Sequence, residues 1–322
     1  MILVTGGTGF LGSELIKQLT DKGFAVRALR REKSVIPALI KDNPLIEWFT
    51  ADINEPSALE DAFVSITKVY HCAAFVSFNP KDKKKLFHVN IEGTSNIVNL
   101  CTEHHCRLLH VSSVAALGEP KRGKQITEKD FWEYDAKAHA YGLSKYEAEM
   151  EVWRGITEGL QAIIVNPSVI IGKNAGFEGS GAIFKLVKGG FPFFTNGATG
   201  LVDVEDVAHA MILLMETDVV AERYIISSEN YHYKDLFDTI AQGFNVKAPT
   251  KEAKPWMLGI AWRSLALVSA ITGKEPSITK DAAKSSLVLS YYDNSKIIKE
   301  TGIKFKVLAD SIKEITQHLK DA

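Results

Sequence analysis

Along the first half of the chain, short runs of β-branched and aliphatic residues alternate with longer stretches whose apolar positions recur every three to four residues. The runs Met1–Thr5, Ala25–Leu29, Ile46–Thr50, Lys68–Ala73, Arg107–Ser112 and Ala162–Asn166 are predicted as strands. Between them lie predicted helices. Leu11–Lys22 places Leu11, Leu15 and Leu19 on one face, and two longer stretches run over Leu86–Glu103 and Tyr141–Glu158. After Pro167 the rhythm loosens. Gly172 to Gly200 is rich in glycine, which suits loops with special backbone angles. Val204–Glu216 then reads as a helix, Arg223–Ser227 as a strand returning to the sheet, and helices dominate from Asn230 to the final Leu308–Leu319. Strand and helix in alternation predict an α/β fold, a doubly wound parallel sheet with a smaller, mostly helical C-terminal lobe. The expected division is 1–170, with 201–228 returning to it, against 171–322. The expected pocket lies between the two, at the carboxyl ends of the strands.

Composition narrows the field. The 322 residues are 46% hydrophobic and 24% charged, with a net charge of −1, so no global field favours nucleic acid. Three cysteines, Cys72, Cys101 and Cys106, make no disulfide framework and suit a reducing compartment. Ile2-Leu3-Val4 runs straight into a glycine-rich turn with no charged leader before it, and a cytoplasmic location is expected. Trp256 to Ile271 is apolar but short for a bilayer span, with Arg263 in its middle. It reads as a helix over a substrate pocket or at a subunit contact, with a membrane-surface helix as the alternative. The run Lys81, Lys83, Lys84 and Lys85 contains Asp82 and lacks interleaved aromatics, so it reads as a solvated helix start. Cys101 and His105 have no second pair at metal-ligand spacing, and no metal is expected. His139, two residues before Tyr141, reads as a loop histidine.

The turn Val4-Thr5-Gly6-Gly7-Thr8-Gly9-Phe10-Leu11-Gly12 follows a strand and opens a helix. That context suits a dinucleotide pyrophosphate. Glycines allow the tight turn and close backbone approach, and the helix N-terminus supplies the positive dipole end. Gly6, Thr8, Gly9, Phe10, Leu11 and Gly12 are therefore candidate cofactor contacts. Where a site selective for NAD places an acidic residue after the second strand, this chain has Arg30 and Arg31. Two guanidinium groups suit a ribose 2′-phosphate, so NADP is the expected cofactor and NAD the alternative.

Tyr141 and Lys145 are four apart at the start of a predicted helix, which puts both on one face. An ammonium near a phenol favours the phenolate and brings its pKa toward the working range. Val111-Ser112-Ser113-Val114-Ala115 supplies a serine at a strand end, where a hydroxyl can polarise a substrate carbonyl.

These motifs together with Ala51-Asp52-Ile53, His71-Cys72-Ala73-Ala74, Val89-Asn90-Ile91-Glu92-Gly93-Thr94, Asn166-Pro167-Ser168-Val169 and Val202-Asp203-Val204-Glu205-Asp206-Val207-Ala208 follow one another in a specific order. In that order the chain resembles the extended short-chain dehydrogenase/reductase family over nearly its whole length. It looks most similar to the dihydroflavonol-4-reductase-like members of that epimerase/dehydratase superfamily. The resemblance implies a Rossmann sheet and a catalytic set of Ser113, Tyr141 and Lys145. It puts Asp52 and Ile53 near the adenine, Ala73 and Ala74 along the cofactor and Pro167 by the nicotinamide; Ser168 is a further candidate cofactor contact, and the Lys145 ammonium can also hydrogen-bond the nicotinamide ribose. Arg31 falls where those reductases carry an NADP-binding arginine. A homodimer built from Leu86–Glu103 and Tyr141–Glu158 is implied as well.

The expected activity is hydride transfer between NADP(H) and a carbonyl or alcohol on a small molecule. The alternatives are an NAD-dependent nucleotide-sugar epimerase or dehydratase and a non-catalytic NADP-binding regulator. Relatives acting on nucleotide sugars carry an arginine after the sixth strand, where this chain has Ser168 or a neighbour. Between Gly172 and Gly200 there are Lys173, Lys185 and Lys188 but no arginine to meet a diphosphate. Phe177, Phe184, Phe191, Phe193 and Phe194 point to an apolar or aromatic pocket there, with some of them in the core. A low-charge substrate is expected.

Overall fold

In the computed structural model, which describes residues 1–120, 123–133, 139–272 and 279–321, the strands run in chain order as β1 (Ile2–Thr5), β2 (Val26–Arg30), β3 (Ile46–Thr50), β4 (Lys68–His71), β5 (Arg107–Val111), β6 (Ala162–Pro167), β7 (Val169–Ile171), β8 (Phe193–Phe194), β9 (Ala198–Asp203), β10 (Glu222–Ile226), β11 (Glu229–His232) and β12 (Lys251–Glu252). Seven of them form one parallel sheet in the order β3-β2-β1-β4-β5-β6-β10. The order reverses between β1 and β4, and the cleft outside that point is where such a sheet takes a ligand.

Side chains alternate across each strand, so one sheet feeds two apolar layers. In β1, Ile2 and Val4 enter the first layer and Leu3 the second; in β6, Ile163 and Val165 oppose Ala162 and Ile164. The first layer is closed by the helices Phe10–Asp21 and Val204–Met215 through Leu15, Ile16, Val207 and Met211. The second is closed by Gly93–Glu103 and Ala140–Thr157 through Ile97, Val98, Cys101 and Val152. This is the doubly wound α/β fold expected from the sequence.

Differences at the element ends matter more than their size. Arg30 is the last residue of β2, inside the ladder, whereas the predicted strand stops at Leu29. Ser112 and Ser113 fall beyond the last residue of β5, although the Ser112 N–H still donates to the Val165 carbonyl of β6 at 2.8 Å. The predicted Leu86–Glu103 helix begins three residues earlier, at Lys83, and contains a π-helical turn over His88–Glu92. The Gly93–Glu103 helix stops before His105, whose φ is +52°, so Cys101 and His105 do not share a helix face.

After β6 the chain builds a second, smaller lobe. It holds the three-stranded sheet β11-β9-β7, the pair β12-β8, and the helices Ala182–Lys188, Tyr233–Phe244 and Leu308–Asp321. Leu236, Ile240, Phe244, Ile312 and Ile315 make its core. Three of the phenylalanines of the glycine-rich segment serve this core rather than a pocket wall. Phe184 is buried in this core, Phe177 and Phe194 pack against it, and the rings of Phe191 and Phe193 meet at a tilt of 59°. The chain returns to the large sheet twice, through the Val204–Met215 helix and through β10 on the edge of β6.

The glycine-rich turn is held by close approaches. Gly6 has φ +68°, and a Cβ there would sit 2.7 Å from the Ala73 nitrogen at the end of β4. At Gly12 a Cβ would be 2.2 Å from the Gly6 carbonyl oxygen, which is backbone and cannot step aside. Gly12→Ala is therefore expected to destabilise the protein by about 1–3 kcal/mol, the usual cost of overpacking, read as a lower urea midpoint with an unchanged m-value.

Candidate active site

Ser113 caps a short turn of 3₁₀ helix over Val114–Ala116, and its hydroxyl accepts from the Ala115 N–H at 3.2 Å. The Ala140–Thr157 helix crosses over this point, and the Tyr141 phenol comes beside the Ser113 hydroxyl. One turn on, the buried Lys145 ammonium donates to the Val111 carbonyl at 2.7 Å, at the end of β5. The structure thus brings Ser113, Tyr141 and Lys145 together at the carboxyl edge of the sheet. Burial lowers the Lys145 pKa to about 8, with Glu149 and Cys72 acting against it. The phenol differs from expectation: burial raises its pKa, and only the Ser113 hydrogen bond offsets this. Desolvation of a phenolate outweighs the pull of an ammonium that is already bound to a carbonyl.

The helix that carries these groups is fixed by side chains the sequence reading passed over. His139 is its N-cap, and Nδ1 accepts from the Gly142 N–H at 2.9 Å. An imidazole that accepts at Nδ1 is neutral there, in keeping with the burial that lowers its pKa against the pull of Asp281 and Glu119. Its ring stacks on Tyr141 at 6.5 Å between centroids, and Phe78 meets Tyr141 edge-on at 5.5 Å. Trp132 stands edge-on to His139 at 6.2 Å and stacks on Tyr146 at 6.0 Å. The aromatic rings beside Tyr141 and its capping histidine are therefore Phe78 and Trp132.

Asn90, in the π turn, grips the loop after β4 by bonding both the N–H and the carbonyl of Phe75, at 2.7 and 3.0 Å. It also donates to Ser144 at 2.9 Å, and Ser144 donates to the Tyr141 carbonyl at 2.7 Å. A π turn repositions one side chain without breaking a helix, which is its usual use at functional sites. Beneath, a chain of hydrogen bonds has one self-consistent direction. Ala73 N–H donates to Thr5, Thr5 to Nδ1 of His71, Nε2–H of His71 to Thr94, and Thr94 to the Asn90 carbonyl. His71 is neutral, its pKa lowered to about 3 by burial and next by Lys145.

Glu149, one turn past Lys145, is fully buried and paired with Arg223 of β10 at 3.2 Å. Arg223 also donates to the carbonyls of Glu128 and Asp130, at 2.9 and 2.6 Å. Asn166 of β6 donates to Glu149 and, at 3.0 Å, to the Ser113 carbonyl. Serine backbone and lysine helix are thus tied to the same buried ion pair.

The residues proposed for a dinucleotide fit one. Gly9 caps the first helix with no side-chain bond and no acidic residue in the first turn, so nothing competes with an anion there. Thr8, Phe10 and Leu11 surround it at the start of that helix. Arg27 is taken by Glu47, but Arg30 Nε is buried with no partner among the described residues, and Arg31 is exposed. Asp52 accepts from the Asn54 N–H at 3.0 Å, and Ile53 packs against Gly93. Ala73 and Ala74 follow β4 after Cys72, and Pro167 ends β6. The hydroxyls of Ser112 and Ser168 are buried without partners among the described residues, which suits a polar ligand over these strand ends. Among the described residues no group of three or more His, Cys, Asp or Glu could hold a metal ion.

A family model described as the NAD dependent epimerase/dehydratase family matches residues 2–227. The chain is 31% identical to a Synechocystis protein described as "Putative dihydroflavonol 4-reductase", over 98% of this chain and 94% of that one. The crystal structure of gox2253 is similar with a TM-score of 0.84 at 29% identity, covering 100% of this chain and 98% of that one. The Thermus thermophilus UDP-glucose 4-epimerase in complex with NAD has the same fold, with a TM-score of 0.78 at 21% identity and coverage of 100% and 99%.

Glu149→Ala leaves the Arg223 guanidinium buried and unpaired, and is expected to cost about 3–5 kcal/mol. Combining it with Arg223→Met removes the orphan charge and should recover much of that loss. Urea unfolding of both variants measures the difference; a double variant no more stable than the single would refute the assignment.

Proposed function

The chain belongs to the NAD dependent epimerase/dehydratase family, and on that premise we propose that it is an NADP(H)-dependent reductase or dehydrogenase acting on a carbonyl or alcohol of a low-charge small molecule. The observation that carries this reading is the gathering of Ser113, Tyr141 and Lys145 at the end of β5, with the Lys145 ammonium on the Val111 carbonyl at 2.7 Å. A nicotinamide cofactor, when bound, supplies or accepts the hydride. The protein's residues handle the oxygen and the proton. Ser113 holds the substrate carbonyl oxygen as negative charge develops on it, and Tyr141 donates its proton to that oxygen, or takes it back in the reverse direction. Burial favours the neutral phenol, the form a proton donor needs. Lys145, charged below about pH 8, places a positive charge beneath the site and is positioned by Val111.

A non-catalytic regulator has no use for this arrangement. The nucleotide-sugar alternative is disfavoured by charge. Of the three lysines between Gly172 and Gly200, Lys173 pairs with Glu205 at 3.5 Å, and Lys188 donates to the Leu319 carbonyl at 2.7 Å. Little is left there to meet a diphosphate. The aromatic side chains of Phe78 and Trp132 instead suit an apolar or planar substrate. In this reading 1–170 with 201–228 holds the cofactor and 171–322 covers the substrate. Pairing of two copies through the helices Gly93–Glu103 and Ala140–Thr157 is part of the same proposal.

Tyr141→Phe keeps the ring against Phe78 and His139 and loses only the transferable proton. Turnover of a carbonyl substrate should fall about 10²–10⁴-fold while NADPH titration is unchanged. Wild-type kcat in this variant would remove the mechanism.

The cofactor choice has its own check. NADPH should bind more tightly than NADH, and Arg30→Ala with Arg31→Ala should erase the difference. A charge-assisted hydrogen bond is worth about 1.5–3 kcal/mol, so the loss should be tenfold or more in NADPH affinity. Equal binding of both cofactors by the wild type, in fluorescence titration, would overturn the NADP assignment.

A further inference from the structure

The Pro255–Thr272 helix is apolar along its length, interrupted only by Arg263 and by the small residues Ser264, Ser269 and Thr272. A helix of that kind belongs in a core or against lipid. Here one side of it faces solvent. Trp256, Ile260 and Leu267 are 64%, 58% and 65% exposed. At 100° per residue, Trp256, Ile260, Arg263 and Leu267 fall within an arc of roughly 60°, a stripe about 16 Å long. Arg263 folds along the helix, donating to the Gly259 carbonyl at 2.8 Å with its guanidinium 4.5 Å over the Trp262 ring.

The charge around the stripe is one-sided. No acidic residue lies between Glu252 and Glu275. Residues 247–284 carry seven lysines and arginines against three acids, a surplus of four in a chain whose net charge is −1. Lys251, Lys254, Lys280 and Lys284 on the flanks are all exposed.

We propose that this stripe seats the protein on the surface of an anionic lipid bilayer. Among the described residues no helix is long and apolar enough to cross a membrane, so the helix lies in the interface plane. Trp256 suits the headgroup level, with an apolar ring and one polar N–H. Ile260 and Leu267 enter the acyl boundary, and the flanking cations meet lipid phosphates. A second copy of the chain fits the stripe less well. In a two-fold contact the same patch meets itself, so its surplus of positive charge would face an equal surplus.

The test is sedimentation of the full chain with vesicles of phosphatidylcholine alone and with phosphatidylglycerol added. Binding is expected to the second kind and to weaken as salt is raised. Trp256→Ala with Ile260→Ser and Leu267→Ser should weaken it by about tenfold or more. Lys254→Glu with Arg263→Glu should abolish the preference for the anionic lipid. These positions are exposed, and an unchanged thermal midpoint establishes that the variants are folded. Absence of wild-type binding to either vesicle overturns the proposal, as does binding that the triple substitution leaves intact. Self-association lost in the triple variant, without vesicle binding in the wild type, also overturns it and assigns the stripe to a contact between copies.

Discussion

Two opposite charges taken out of water must satisfy each other, and much of the site depends on one such pair. Glu149 is on the helix that carries Tyr141 and Lys145, and Arg223 is on the outermost strand of the sheet. Each would cost several kcal/mol alone, and their attraction offsets this only when the remaining hydrogen bonds are filled. They are filled: Arg223 also serves the Glu128 and Asp130 carbonyls, and Glu149 also receives Asn166. Since Asn166 in turn holds the Ser113 carbonyl, the geometry that orients the charge pair also orients the serine. Apolar packing alone would let the helix slide by a fraction of a turn. A directional network does not.

On the other side of the same helix the constraints are of a different kind. His139 caps its start with a neutral nitrogen, and Asn90 reaches it from a π turn through Ser144. The His71 chain below has a fixed order of donors and acceptors from Ala73 to Asn90. His71 is held uncharged by burial, and the Lys145 ammonium beside it is opposed chiefly by the Glu149 carboxylate one turn on.

Much of this was legible in the sequence. The alternation that splits β1 and β6 between two layers is a period-two pattern, and the first helix shows its Leu11, Leu15, Leu19 stripe openly. The glycine turn, Ser113, Tyr141 and Lys145 are local motifs, readable because their spacing is short. The Glu149–Arg223 pair joins residues 74 apart, and nothing local marks either as buried. Asn90 stands in a π turn that has no signature in apolar periodicity. The phenylalanines between Gly172 and Gly200 misled for a related reason, because composition cannot separate a lobe's core from a pocket wall. Phe78 and Trp132, which do stand beside Tyr141 and His139, come from loops where periodicity carries no information.

The return of β10 to the sheet has a consequence for how the protein is made. Synthesis proceeds from the N-terminus at about 5–20 residues per second, and domains tend to fold as they emerge. When residue 170 leaves the ribosome, β1 to β6 are present, but β6 is an open edge and the Glu149 carboxylate has no guanidinium. Both deficits persist until Glu222–Ile226 has been made, after part of the smaller lobe has already been synthesised. The seven-stranded sheet cannot finish folding before the lobe that interrupts it has begun. The nascent chain spends that interval with a bare strand edge, the condition under which a chaperone matters most.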